Sequence, residues 1–246
     1  MNNIIAIFIK QLTCCIKVPS IIIQGIMFLI IAAVFMFIMP PDEDYDCSVC
    51  IPAYVCVTCE ERAADRFEMP FPSQIGMFAV IFIGLALVGS VSGLVLEDKS
   101  TTNLRFMAMA DVKPFQYLIG TVASVIIVVT GMLIPYALLG GYFGFPFMAI
   151  GIAGGFVSIL FGIVIGLSRA PILATPISLV LGMGPMIGSF NETAANILRF
   201  TFIQQVNIAF SDLDADLTSN FLIIGVNGVV VLLIFIIMHR KNKFNV

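Results

Sequence analysis

Six apolar runs without a charged side chain divide the 246 residues of this chain. A helix of about 20 apolar residues spans a hydrocarbon core about 30 Å thick. Within hydrocarbon the backbone has to satisfy its own hydrogen bonds, and a helix does this within one segment. We therefore predict an all-α integral membrane protein with six transmembrane helices, which cover residues 21–39, 75–96, 115–139, 147–167, 171–190 and 221–238.

The charge content also separates this chain from soluble proteins. Charged residues make up 11% of the chain and hydrophobic residues 60%, whereas a soluble domain carries about a quarter charged residues. The net charge is −3 and there is no long basic run, so no nucleic-acid partner is expected. The environment that this composition predicts is a lipid bilayer.

The distribution of Lys and Arg predicts the orientation, because cytoplasmic loops are enriched in these residues. With both termini in the cytoplasm, three of the twelve basic residues lie outside, namely Arg62, Arg66 and Arg199. The other nine lie inside: Lys10, Lys17, Lys99, Arg105, Lys113, Arg169, Arg240, Lys241 and Lys243. We predict a multi-pass protein of the cell membrane with both ends cytoplasmic.

Four segments of this single transmembrane domain are predicted not to span the membrane. Residues 1–17 mix apolar residues with lysine and suit a helix in the cytoplasmic interface. Residues 40–74 form an acidic outer loop with four cysteines, and residues 97–114 form a cytoplasmic loop. Residues 191–220 mix apolar and polar side chains, which predicts one or two short amphipathic helices that return to the outer surface.

The cytoplasmic loop contains a short amphipathic pattern. A charged stretch leads into Ser100, which is one of three adjacent hydroxyl residues able to cap a helix. Leu104, Met107 and Ala108 then share one helical face. Pro114 separates this helix from the third span. The pattern predicts a cytoplasmic helix that is tethered at both ends to spanning helices.

This loop resembles the first cytoplasmic loop of ABC-2-type permeases, the membrane subunits of ATP-binding cassette exporters. Leu104, Phe106 and Met107 match the apolar positions of the loop, and Asp98-Lys99 falls in its charged lead. Thr102 stands where the family usually has glycine, and Asp111 where it usually has proline. The aromatic entry to the third helix is matched by Phe115-Gln116-Tyr117-Leu118-Ile119-Gly120.

The resemblance implies a permease subunit that exports an amphipathic or hydrophobic substrate, such as a peptide, a lipid-like molecule or a drug. It also implies a second permease chain, identical or related, and a separate ATP-binding subunit that hydrolyses ATP. Leu104 and Met107 would then seat in a groove of that subunit. The implied coupling residues are Asp98, Lys99, Leu104, Arg105, Phe106, Met107 and Asp111.

Catalytic motifs are missing from the sequence. It contains no Gly-x-x-x-x-Gly-Lys-Ser/Thr stretch that would cradle a nucleotide. Its one histidine, His239, lies beside Arg240 at a membrane exit, where a solvated flank explains it. We therefore expect no enzyme activity, catalytic residue, cofactor or metal site in this chain, with ATP bound by the partner subunit.

Four cysteines on the outer loop leave a second class of function open. Cys47 and Cys50 form one closely spaced pair, and Cys56 and Cys59 form another. An extracytoplasmic location favours disulfides, and the five-residue gap between the pairs is short for a zinc site. The alternatives are a thiol-redox or metal-handling membrane protein centred on these cysteines, or an ion-coupled secondary transporter.

Glycines four residues apart recur in the predicted spans. The pairs are Gly89 with Gly93, Gly151 with Gly155, and Gly162 with Gly166. Small residues at this spacing allow two helices to approach closely. We expect them to serve packing within one helical bundle.

Overall fold

The computed structural model describes residues 2–17, 20–38, 71–101, 103–110, 112–140, 144–168, 171–190, 192–211 and 217–242. Helices account for the regular structure of these residues. The all-α class predicted from the sequence is therefore confirmed for the described part of the chain.

The described helices are numbered in chain order. The first helices are α1 (Asn2–Lys17), α2 (Ser20–Ile38), α3 (Phe71–Ile81), a π-helical segment (Phe82–Leu87), α4 (Val88–Ser100) and α5 (Asn103–Met109). Helix α3, the π segment and α4 form one continuous helix. The remaining helices are α6 (Pro114–Leu139), α7 (Phe145–Leu167), a 3₁₀ turn (Pro171–Leu173), α8 (Ala174–Phe190), α9 (Glu192–Leu198), α10 (Phe202–Ser211) and α11 (Leu217–Asn242).

Four helices are long and apolar enough to cross a membrane: Ile75–Ser100, Pro114–Leu139, Phe145–Leu167 and Leu217–Met238. The axes of α1 and α2 are bent by 48° relative to each other, and the number of candidate spans rises to five if the two helices count as one bent span. The expected fifth span is shorter than predicted, because Pro171–Leu173 forms a 3₁₀ turn and α8 has only 17 residues. The described helices therefore give four or five candidate spans instead of six.

Helix α7 lies at the centre of the bundle. It packs against α4, α6, α10 and α11, and most of its residues are buried. The ring of Phe147 at its first turn stacks on Phe210 of α10 with centroids 4.3 Å apart. The expected close packing at two of its glycines is also present. A Cβ on Gly162 would lie 2.8 Å from Val91 Cβ, and one on Gly166 would lie 2.8 Å from Val95 Cβ.

Helix α8 approaches the π segment most closely at two other glycines. A Cβ on Gly84 would lie 2.9 Å from both Gly182 Cα and the backbone of Leu181. A Cβ on Gly182 would in turn lie 2.5 Å from Leu85 Cβ. The backbones of the two helices thus touch at the middle of Ile75–Ser100, a contact that the four-residue glycine spacing did not predict.

We expect Gly84→Ala to destabilise the bundle, because backbone atoms of α8 cannot move aside as a side chain would. The free energy of unfolding should fall by roughly 1–3 kcal/mol, the usual cost of overpacking. Gly93→Ala is the matched control on the same continuous helix, since a Cβ there meets nothing within 4 Å. Denaturant titration in mixed micelles measures both, and equal effects of the two variants would contradict the close approach.

Helices α9 and α10 are short helices of the kind predicted for residues 191–220, but α10 is mostly buried. Seven of its ten residues are buried, including Phe202, Val206 and Phe210. Val206 packs on α7 so closely that a Cβ on Gly154 would lie 2.5 Å from its Cγ2 atom. The mixture of apolar and polar residues in α10 therefore goes with burial against several helices and does not indicate a single face exposed to water.

Candidate functional site

Asp98 is a buried charge at the end of the second apolar helix. It lies in the last turn of α4 and is only 5% exposed. Lys10 Nζ donates to its Oδ1 atom at 2.5 Å, and Gln11 Nε2 donates to Oδ2 at 2.7 Å. Tyr117 Oη donates to Oδ2 at 3.0 Å, and Asn103 Nδ2 lies 3.4 Å from Oδ1. These donors are the partners that a buried carboxylate requires.

We call these five residues the Asp98 clasp, because they come from four helices. Lys10 and Gln11 belong to α1, Asp98 to α4, Asn103 to α5, and Tyr117 to α6. Helix α1 presents its side to the bundle through Ile7, Gln11 and Cys15, which are four residues apart and all buried. The clasp therefore fixes the N-terminal helix and the loop helix to the same end of two long apolar helices.

An apolar cluster lies beside the Asp98 clasp. Ile7, Leu104 and Tyr117 are buried together, and Met107 and Leu167 pack against them with part of their surface exposed. Leu104 is 4% exposed. The expectation that Leu104 seats in a groove of a partner subunit does not fit this position, because the side chain already fills a space between α1 and α6.

Lys99 attaches the same loop to the end of α7. Its ammonium donates to the backbone carbonyl of Ser168 at 3.0 Å, at the C-terminal end of α7. A cation is favourable there because the last carbonyls of a helix are unsatisfied and carry partial negative charge. The beginning of the loop is thus attached to the connection between α7 and α8.

The start of α6 is set by local sequence. Pro114 occupies the first turn, where a missing N–H costs nothing. The backbone N–H of Lys113 donates to Gln116 Oε1 at 3.0 Å, as in a capping box. Val112 N–H donates to the carbonyl of Met107 at 3.0 Å. Helix α5 therefore ends shortly before α6, and Met109 at its end is 66% exposed.

The structure brings together some of the residues predicted for this loop. Asp98, Lys99 and Leu104 make contacts within the chain, and Met107 is partly exposed. Asp111 and the side chains of Arg105 and Phe106 lie outside the described residues, as do the outer cysteines Cys47, Cys50, Cys56 and Cys59. The coupling role of the loop and the disulfides stay predictions.

Three residues of the clasp were missed in the sequence: Lys10, Gln11 and Asn103. Gln11 is fully buried, and a signal for it exists. It falls on the same helical stripe as Ile7 and Cys15, where a polar side chain needs a buried partner. Its partner is 87 residues away in the sequence, and this distance hides the pair from any local pattern.

The chemistry of this arrangement is attachment, since the carboxylate of Asp98 is occupied by donors of the same chain. Among the described residues no group of three metal-ligating side chains lies together. Comparison with models of protein families, with curated proteins and with solved structures found no match to this chain.

Proposed function

We propose that this chain is the permease subunit of an ATP-driven transporter of the ABC-2 type. It would export an amphipathic or hydrophobic substrate across the cell membrane, with both termini cytoplasmic and six membrane crossings. A second permease chain, identical or related, would complete the pathway. A separate ATP-binding subunit would hydrolyse ATP, so this chain itself holds no cofactor.

The attachment of α5 is the observation that carries this proposal. The seven-residue helix lies between two long apolar helices and is joined to α1 through the Asp98 clasp. Lys99, just before it, bonds to the end of α7. A force applied at the exposed Met109 would therefore be passed to several helices together. Such a rigid element suits a protein that is driven by a soluble motor.

An apolar groove supports the class of substrate. It lies between α6, α7 and α11, is open on one side and has a volume of about 640 Å³. Its walls include Ile126, Phe156, Phe221 and Leu232. A surface of this kind within a bilayer accepts acyl chains or other apolar groups, as the proposed substrates carry.

Residues 99–113 should face the cytoplasm and residues 46–68 the outside. The reason is the positive-inside distribution, in which the loop at 99–113 carries Lys99, Arg105 and Lys113. Labelling of single introduced cysteines with a membrane-impermeant maleimide measures this in intact cells and in inverted vesicles. If Lys99 and Lys241 were found on opposite faces, the four spans predicted between them, and with them the six-span arrangement, would be refuted.

The ATP-binding subunit should cross-link to the loop helix. With p-benzoylphenylalanine in place of Met109, illumination of native membranes should yield an adduct that contains an ATP-binding cassette subunit, identified by peptide mass spectrometry. The same substitution at Phe145 is the control, because this side chain is 86% exposed at the opposite end of the bundle. Transport driven by an ion gradient without ATP, and no such adduct at position 109, would refute the proposal.

A further inference from the structure

A break in the helical backbone separates α9 from α10. Helix α9 ends at Leu198 and α10 begins at Phe202, with a turn between them at Arg199, Phe200 and Thr201. Non-helical backbone at membrane depth is tolerated where it is buried in protein or lines a water-filled cavity. The depth of this turn therefore decides what its side chains can do.

Contacts of α10 with α7 give one measure of that depth. Phe210 stacks on Phe147, the third residue of α7, and Val206 packs at Gly154, the tenth of its 23 residues. Phe202 stacks on Phe161, the seventeenth, with centroids 6.0 Å apart. Helix α10 thus runs along α7 with its C-terminal end near the start of α7, and its first residue lies past the middle of α7.

Contacts with two other helices agree. Asn227 Nδ2 donates to the carbonyl of Phe200 at 3.0 Å, and Asn227 is the eleventh of the 22 residues of the span Leu217–Met238. Leu198 reaches to 3.5 Å from the position of a Cβ on Gly184, in the interior of α8. Helices α9 and α10 therefore form a helical hairpin. Its turn lies near the middle of the bundle, as measured along the long helices.

Polar side chains satisfy the backbone of this turn. Gln205 Nε2 donates to the carbonyl of Arg199, and Asn227 donates to that of Phe200. Thr201 Oγ1 donates to the carbonyl of Leu198 at 2.6 Å. These bonds explain an asparagine in the centre of a span, and they hold the turn in place without involving the guanidinium of Arg199.

The side chain of Arg199 is exposed on this chain, and its turn contacts the middle of the candidate span Leu217–Met238, where a charge that faces lipid is costly. Within the described part of the chain the one ion pair joins Lys10 to Asp98, so no described carboxylate neutralises Arg199. Intramembrane arginines face water-filled cavities or paired charges and avoid lipid. Ile197 and Phe200 on either side are also exposed, Phe200 by 73%. The turn thus presents one cation between two apolar side chains.

We infer that Arg199 binds the anionic group, a carboxylate or a phosphate, of an amphipathic molecule in the transport pathway. A guanidinium binds both groups through two parallel hydrogen bonds. Ile197 and Phe200 contact the apolar part of the same molecule. The assignment of this site to a transport pathway rests on the proposed function. The binding itself needs no ATP-binding subunit.

Photolabelling of the purified chain tests the inference. The full chain is placed in nanodiscs of phosphatidylcholine and illuminated with a diazirine derivative of palmitate or with its methyl ester. We expect the acid to label peptides around residues 196–205, and dodecyl phosphate, but not dodecyltrimethylammonium, to compete. Arg199→Gln should reduce this labelling at least tenfold, whereas Arg199→Lys should retain a substantial part of it.

The controls separate this result from loss of fold and from the proposed function. Lys17→Gln removes the same charge at an exposed site and should label like the unaltered chain. Equal labelling by acid and ester, or unchanged labelling of Arg199→Gln, would overturn the inference. Competition by inorganic phosphate would overturn the amphipathic ligand in favour of a small anion. Because no ATP-binding subunit is present, failure of the cross-link at Met109 would leave this result standing.

Discussion

Asp98→Ala should lower the free energy of unfolding of the purified protein by about 3–5 kcal/mol, the usual cost of removing one partner of a buried ion pair. The variant leaves Lys10, Gln11 and Tyr117 without their common acceptor. The penalty is reduced to the extent that Lys10, whose side chain is 34% exposed, regains water. Denaturant titration in mixed micelles measures the change.

Glu97→Ala is the matched control for Asp98→Ala. Glu97 precedes Asp98 on α4, carries the same charge and is exposed, so its removal should change stability by less than about 0.5 kcal/mol. A double-mutant cycle of Asp98→Ala with Lys10→Met then isolates their coupling. A cycle energy near zero would contradict the view that Lys10 and Asp98 hold α1 to the loop.

Leu104→Asp should destabilise the packing of α5 against α1 and α6, and not merely weaken the binding of a partner subunit. Loss of a buried leucine side chain costs about 2–5 kcal/mol, and a carboxylate among Ile7, Tyr117 and Leu167 adds a desolvation cost. The expected total exceeds about 3 kcal/mol, with a lowered thermal midpoint in detergent. Limited proteolysis should also cut the α5 region faster, because α1 loses its contact there.

Met109→Asp is the variant to compare with Leu104→Asp. Its side chain is exposed, so the thermal midpoint should stay within the error of the unaltered chain. If Met109 is an anchor for an ATP-binding subunit, truncation should weaken that association by more than about 1 kcal/mol. A stable Leu104→Asp variant would contradict a packing role for Leu104. Unaltered binding of the ATP-binding subunit by Met109→Asp would contradict an anchoring role for Met109.

The sequence was sufficient for those features that depend on neighbouring residues. The long apolar runs predict helices at Pro114–Leu139 and Phe145–Leu167, because length and apolarity are properties of one segment. Glycine spacing likewise predicted the close packing at Gly162 and Gly166. It failed for Gly93, where a Cβ meets nothing, because spacing places glycines on one face without saying which helix lies opposite.

Burial in the loop could not be predicted in the same way. The spacing of Leu104 and Met107 correctly placed an apolar face on a short helix, and a partner subunit was its expected cover. The structure covers Leu104 with Ile7 of α1 instead. An amphipathic pattern indicates only that the apolar face is covered, not by what. The helix that covers it, α1, lies about a hundred residues away along the chain, so no local pattern identifies it.

The sequence by itself determined that this is a helical membrane protein and which charges fall near the ends of its apolar helices. Only the tertiary structure decided which polar groups meet, since Lys10 and Asp98 are 88 residues apart. It also decided the depth of Arg199, which the sequence placed at the outer surface. Packing of α10 along α7 carries this residue towards the middle of the bundle. The physical reason is that hydropathy measures the environment averaged over a segment, whereas depth and partners are fixed by contacts between helices that are distant in the chain.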